Sequence, residues 1–204
     1  VQNSFYGRYL KRLFDIVFVL ASAPVVLPIV AIFAFLIRRD GGPAFYAQER
    51  VGKGGERFTC WKLRSMVIDA DKKLDEYLAA NPAANAEWTV SQKLKNDPRI
   101  TAVGHFIRKT SIDELPQFWC ILMGDMSLIG PRPFLPEQEK LYTGNAYYEL
   151  RPGLTGFWQV GDRNETSFAA RAVFDNRYAS ELTLKTDLNI LWRTVGVVLR
   201  GTAV

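Results

Sequence analysis

Ser111-Ile112-Asp113-Glu114 sets two adjacent carboxylates just after Arg108 and Lys109 and just before a helical run, Leu115 to Met123. Two chemistries suit that order. As architecture it is a capping box: Ser111 caps the helix, Glu114 reaches back three residues, and Asp113 complements the positive helix end. As a site, a carboxylate at a helix start among cations has a lowered pKa and stays ionised. It can then act as a nucleophile or hold a divalent metal, with Glu114 orienting it or managing a proton. Pro116 disturbs the first reading, because in a helix starting at Ile112 it falls past the first-turn positions and loses a hydrogen bond. Asp113 is then the alternative N-cap, and the local pattern leaves both readings open.

Arginine and lysine recur beside glycine in Arg50-Val51-Gly52, Lys62-Leu63-Arg64, Gly130-Pro131-Arg132-Pro133 and Gly161-Asp162-Arg163. Guanidinium groups pair with phosphate in bidentate fashion and glycine lets backbone amides approach, so the set suits a diphosphate, although each taken singly reads as a surface charge. No P-loop or dinucleotide fingerprint is present. The net charge of +5 and pI near 9.2 call for anionic partners: phospholipid, phosphorylated small molecules or nucleic acid. Cys60, Cys120 and the single His105 are too few for a zinc site or a disulfide framework. Both cysteines read as buried apolar residues in a reducing compartment.

The elements that must position these groups fit one catalytic unit in 204 residues. Residues 13–37 carry only one charge, Asp15, a run exceeding the ~20 apolar residues that a spanning helix needs. Pro24 and Pro28 interrupt it, and Arg8, Lys11 and Arg12 before it are matched by Arg38 and Arg39 after it. Basic residues on both flanks place both ends in the cytoplasm. The expectation is a re-entrant helix-break-helix over residues 1–39 that enters and leaves the same leaflet, with Pro24 and Pro28 at the break; a kinked spanning helix is the alternative. Residues 40–204 form the cytosolic catalytic domain, mainly α with a small β-hairpin (α+β) from Phe45–Gln48 and Phe58–Leu63 around Gly52, Gly54 and Gly55. Asp69–Ala80 reads as an amphipathic helix, 81–97 as a loop or short helix, 124–136 as a structured loop, Phe168–Glu181 as a helix, and Leu182–Leu199 as an interfacial amphipathic helix.

Taken together, several segments resemble the monotopic polyprenyl-phosphate phosphoglycosyl transferases, or bacterial sugar transferases. They are Lys11-Arg12-Leu13-Phe14-Asp15, Gln48-Glu49-Arg50-Val51-Gly52, Lys62-Leu63-Arg64-Ser65-Met66, Asp97-Pro98-Arg99-Ile100-Thr101, Lys109 through Gln117, Gly124 through Pro133, and Arg151-Pro152-Gly153-Leu154-Thr155-Gly156 with Trp158-Gln159-Val160. The resemblance implies the re-entrant hairpin and a two-step reaction at the cytoplasmic face of the bacterial inner membrane. Asp113 attacks the β-phosphate of a UDP-hexose, UMP leaves, and undecaprenyl phosphate takes the phospho-sugar from the aspartate. It further implies that Asp113 is nucleophile and Mg2+ ligand, that Glu114 is its dyad partner, and that Lys62, Arg108, Arg132 and Arg163 lie near the phosphates. Asn164-Glu165-Thr166-Ser167 resembles the branch that primes exopolysaccharide or capsule synthesis with galactose or glucose. One departure stands out: the family usually has Ser-Pro at the hairpin break and this chain has Ala23-Pro24, with Ser22 one residue early.

Two other classes compete. A non-catalytic, membrane-anchored binding module of a polysaccharide-synthesis complex would have no need of an acidic dyad amid arginines. Nucleic-acid binding is disfavoured because the cations are dispersed through glycine loops and the chain carries a membrane-type run. Direct glycosyl transfer would release UDP instead of UMP. Homodimer pairing through the C-terminal segment, and a longer N-terminal region ahead of Val1, stay open at this level.

Overall fold

Helix α1, Lys11–Arg38, follows a π-helical turn at Tyr6–Leu10 and runs unbroken through Pro24 and Pro28. The computed structural model describes residues 5–91, 94–161 and 168–200. Helical hydrogen bonding therefore persists where a break was expected. Each proline removes one amide donor, and Ser22 adds a third perturbation: its hydroxyl donates to the carbonyls of Phe18 at 2.8 Å and Val19 at 3.1 Å. Proline and back-bonded serine both bend helices without ending them. The most apolar window of this helix has a mean hydropathy of 2.7 with only 6% of it buried, so its outer face is not covered by the other described residues.

Both ends of α1 are nevertheless tied to the same body. A β-hairpin follows it, β1 Phe45–Val51 and β2 Arg57–Leu63, registered from Phe45↔Leu63 to Val51↔Arg57. Next come α2 (Ala70–Ala80, Leu74 inward), α3 (Pro82–Ser91) and α4 (Ala102–Lys109), the last capped by Thr101, whose hydroxyl accepts the Gly104 amide at 2.9 Å. Helix α5, Gln117–Met123, ends at Gly124 in the left-handed conformation that helix C-termini favour. At its start, the Arg12 guanidinium of α1 donates to the Ile121 and Leu122 carbonyls of α5, capping oxygens that the helix end leaves unpaired. At its finish, Ile37 packs with Ala44, Leu63 and Ile107, and Phe33 stacks on Phe106 with ring centres 5.6 Å apart.

Strand β3, Ser127–Ile129, precedes α6, Ala146–Glu149, and pairs in parallel with β4, Gly153–Thr155. Three-residue strands carry too little alternation to be legible as strands, which is why 124–136 reads only as a loop. Helices α7 (Phe157–Val160), α8 (Arg171–Ser180) and α9 (Leu184–Leu199) complete the fold. The main core joins Val19 of α1 to Cys60, Cys120, Ile121, Leu128, Tyr178 and Ile190. Both cysteines are free and buried, as expected. A buried polar knot closes it: Asp187 of α9 accepts from Tyr6 at 2.6 Å and Tyr178 at 2.7 Å and pairs with Lys11 at 2.8 Å, while Asp15 accepts the Leu128 amide at 3.2 Å. Both carboxylates of the knot are met by donors, so its burial does not leave a charge unpaired.

Candidate active site

Strand β2 delivers Lys62 and the turn after α4 delivers the two carboxylates. Ser111 takes φ 56°, ψ 18°, the left-handed region. Among the described residues it is the only non-glycine residue with positive φ. Such strain persists only where the surroundings enforce it, and it clusters at functional sites. The chain then makes one 3-10 turn, Ile112–Glu114, and α5 begins with Pro116 at its N-cap position.

The capping box does not form. Ser111 makes no side-chain cap bond, and the Glu114 carboxylate turns instead to Lys62, Oε1 to Nζ 2.7 Å. Asp113 is not the N-cap either, since Pro116 holds that position. The expected lowering of its pKa is also overturned: burial pushes Asp113 up to about 6, Lys62 and Arg108 pull it down, and neighbouring Glu114 adds to the rise. Desolvation is the largest of these effects and outweighs the cations.

Arg132 follows β3 through Gly130-Pro131 and stands 3.9 Å from Glu114 Oε1. Lys62, Glu114 and Arg132 thus share one pocket with Arg50 and Gln117, and Arg108 is close enough to act on Asp113. Five of the six residues expected at the chemistry are therefore brought together; Arg163 lies outside the described residues. Sequence reasoning assigned Arg171 no place in the site, and Trp158 only a place in a family motif. The Trp158 ring has the Arg132 guanidinium 5.6 Å and the Arg171 guanidinium 4.3 Å from its centre. The available signal was Phe168 three residues before Arg171, a spacing that sets an aromatic ring and a cation side by side; the guanidinium lies 4.4 Å from that ring's centre.

Glu114 and Arg132 also line a second cavity of different character. It is an apolar groove of ≈ 510 Å³ walled by Phe18 of α1, Leu115 and Phe118, and Leu191, Trp192 and Val195 of α9. A further apolar recess of ≈ 580 Å³ lies between the middle of α1, β-hairpin residues Phe45 and Trp61, and α5 residue Trp119. A polar pocket and a greasy groove thus meet at Glu114 and Arg132.

Among the described residues no three His, Cys, Asp or Glu side chains gather as a metal cluster. The donors at hand are the two carboxylates, which suits Mg2+: it is usually held by one or two carboxylates and completed by substrate phosphates and water.

The profile of the bacterial sugar transferases matches residues 6–201. The chain belongs to this family. It is 48% identical over 196 residues to the UDP-galactose-lipid carrier transferase of Erwinia amylovora, spanning 95% of this chain and 41% of that protein. It is 49% identical over 196 residues to the undecaprenyl-phosphate galactose phosphotransferase of Salmonella typhimurium, with the same coverage. With the exopolysaccharide production protein ExoY of Rhizobium meliloti it shares 42% identity over 198 residues, 94% of this chain and 86% of that one. The chain therefore spans less than half the length of the first two relatives and most of the third.

Proposed function

We propose that this sugar transferase moves a hexose-1-phosphate, galactose or glucose, from a UDP-sugar to undecaprenyl phosphate, the priming step of exopolysaccharide or capsule synthesis. The observation that carries the reading is the junction of two cavities at Glu114, the residue next to Asp113. A cationic pocket fit for a diphosphate and an apolar groove fit for an isoprenoid tail are both lined by Glu114 and Arg132. A mere binding module needs no half-buried acid pair beside that junction.

The steps follow from the residues. A carboxylate oxygen of Asp113 attacks the β-phosphorus, the bond to the bridging oxygen breaks, and UMP leaves with the electron pair. A phosphate oxygen of the lipid then attacks the same phosphorus and releases the aspartate, giving a diphosphate-linked lipid sugar. Lys62 and Arg108 stabilise the charge spreading over the transferred phosphoryl oxygens, and Glu114, held at 2.7 Å by Lys62, keeps the second carboxylate in register with the first. Asp113 is the residue to hold Mg2+ together with the diphosphate; the ion would supply neutralisation of phosphate charge. A carboxyl held near 6 is largely ionised at cytoplasmic pH yet only lightly solvated, which suits a nucleophile.

Membrane placement belongs to the same proposal. Helix α1 has 28 residues, so straight it would extend about 42 Å, yet its two ends pack on one catalytic body. A body on one side of the bilayer cannot hold both ends of a spanning helix, which favours re-entrant insertion from the cytoplasmic face of the inner membrane. Exposed Trp192, Val195 and Leu199 of α9 suit that same surface.

The deciding experiment measures nucleotide release from UDP-galactose and UDP-glucose with undecaprenyl phosphate and Mg2+. UMP is expected from the parent, with a loss of at least about a thousandfold in Asp113→Asn. UDP as product, or an active Asp113→Asn, overturns the mechanism.

A further inference from the structure

Arg171 is a half-buried cation that the reaction as drawn does not use. Its Nε is buried with no hydrogen-bond partner among the described residues, and no carboxylate there lies within ion-pair distance of it. The guanidinium packs against Trp158 and Phe168, 4.3 Å and 4.4 Å from their ring centres. A guanidinium held by its faces offers its edge, the part that binds phosphate oxygens in pairs. Arg132 reaches the same Trp158 ring, and Arg132 shares its pocket with Arg50, which donates to the neutral side-chain amide of Gln48 at 2.5 Å. Burial and the nearness of Arg132 and Arg50 hold the Arg171 pKa down to about 10, despite the opposing pull of Asp175. Three guanidinium groups gathered against only Glu114, 3.9 Å from Arg132, and the pull of Asp175 on Arg171 repel one another, and a bound anion relieves them.

The cations around Glu114 fall into two groups. Lys62 and Arg108 act on Asp113, where the transferred phosphate must sit. Arg132 and Arg171 gather on Trp158, and Arg132 joins Arg50 in the pocket that Lys62 also lines. We propose that Arg50, Arg132 and Arg171 form the seat of the leaving nucleotide's phosphate, with Arg171 positioned by Trp158 as its inner wall. The proposal rests on the transfer reading above, because that reaction leaves UMP with a terminal phosphate bearing a charge that its bridging form lacked. A fixed cluster of cations then favours cleavage of the bridging bond over its re-formation by stabilising the charge on the leaving phosphate.

The test is calorimetric binding of UMP and of uridine to the full chain in detergent, for the parent, Arg171→Gln, Arg171→Lys and Arg50→Gln. Arg171→Gln and Arg50→Gln are each expected to weaken UMP about tenfold or more, and to change uridine, which lacks the phosphate, by less than about twofold. Arg171→Lys, which keeps charge but not the fork, should fall between. Equal losses for UMP and uridine would assign these arginines to packing or to the nucleoside, and unchanged UMP binding would remove them from the site; either overturns the proposal. Arg50→Gln carries the same readout should Arg171→Gln fail to fold. Failure of the parent to release UMP sinks the transfer reading, whereas UMP release with binding indifferent to Arg50 and Arg171 sinks only this inference.

Discussion

Asp175, one turn along α8 from Arg171, is buried and accepts the Tyr142 hydroxyl at 2.9 Å. Burial pushes its carboxyl up to about 6, against the pull of Tyr142 and Arg171. The sign is therefore the opposite of an ion-paired carboxylate: the folded state takes up a proton more readily than the unfolded chain. Folding is penalised above about pH 6, and the penalty fades as pH falls through 6 toward 4. Asp175→Asn keeps an acceptor for Tyr142 and removes the charge. Relative to the parent, this variant should be stabilised by about 1 kcal/mol more at pH 8 than at pH 5, measured by denaturant titration; a pH-independent difference would exclude this source. Legibility at this scale follows how much of a residue's setting lies along the chain. Asp113-Glu114 stood out because two acids beside two cations are visible in one dimension. The pKa of Asp113 was misread because desolvation depends on what the fold stacks above it. Arg171 was passed over because it has no glycine beside it and meets Trp158 only in three dimensions.

The parallel pairing of β3 with β4 fixes where Arg132 emerges, and it depends on glycine for a steric reason. A Cβ on Gly153 would stand 2.1 Å from the Gly130 amide nitrogen, and one on Gly130 would stand 2.3 Å from the Arg151 carbonyl. Both contacts are to backbone, which cannot swing aside. Gly153→Ala should push the strands apart, cost about 1–3 kcal/mol of stability or more, and displace Arg132. Gly196→Ala on α9 meets nothing within 4 Å and should be neutral or stabilising by about 0.5–1 kcal/mol. Thermal unfolding of the two variants side by side checks this, and similar losses in both would mean that the close approach is not the cause. The hairpin and helices α2, α5, α8 and α9 were legible because each has a periodic apolar face or a turn signal long enough to count. The β3–β4 pair was not, because its register comes from close packing of backbone and not from side-chain alternation.

At the scale of the whole molecule, the question is how one apolar helix can serve a catalytic body that meets it at both ends. The N-terminal anchor is polar, Arg12 on the α5 carbonyls with Lys11 bridging to Asp187, and the C-terminal anchor is apolar, Ile37 and Phe33 on Ala44, Leu63 and Phe106. Between them Ser22, Pro24 and Pro28 are the groups that let the helix bend. Proline placement and basic flanks pointed to re-entry with a break; the continuity of the helix was not legible, since local hydrogen bonding can survive a proline that sequence rules treat as a stop. The variants Arg8→Cys and Arg39→Cys, made singly, allow labelling by an impermeant maleimide in right-side-out and inverted membrane vesicles, because the native Cys60 and Cys120 are buried. With the prolines in place, both positions should label only from the cytoplasmic side. Pro24→Ala with Pro28→Ala restores two backbone donors and straightens the helix to about 42 Å, longer than the ~30 Å hydrocarbon core. The straightened helix is expected to lose one anchor, and the apolar one is the weaker in lipid, where leaving it exposes no unpaired charge. The doubly substituted protein should therefore release the Ile37 end and turn the label at position 39 toward the opposite side. If both positions still label from the cytoplasm, the prolines do not set the topology, and the two anchors do so alone.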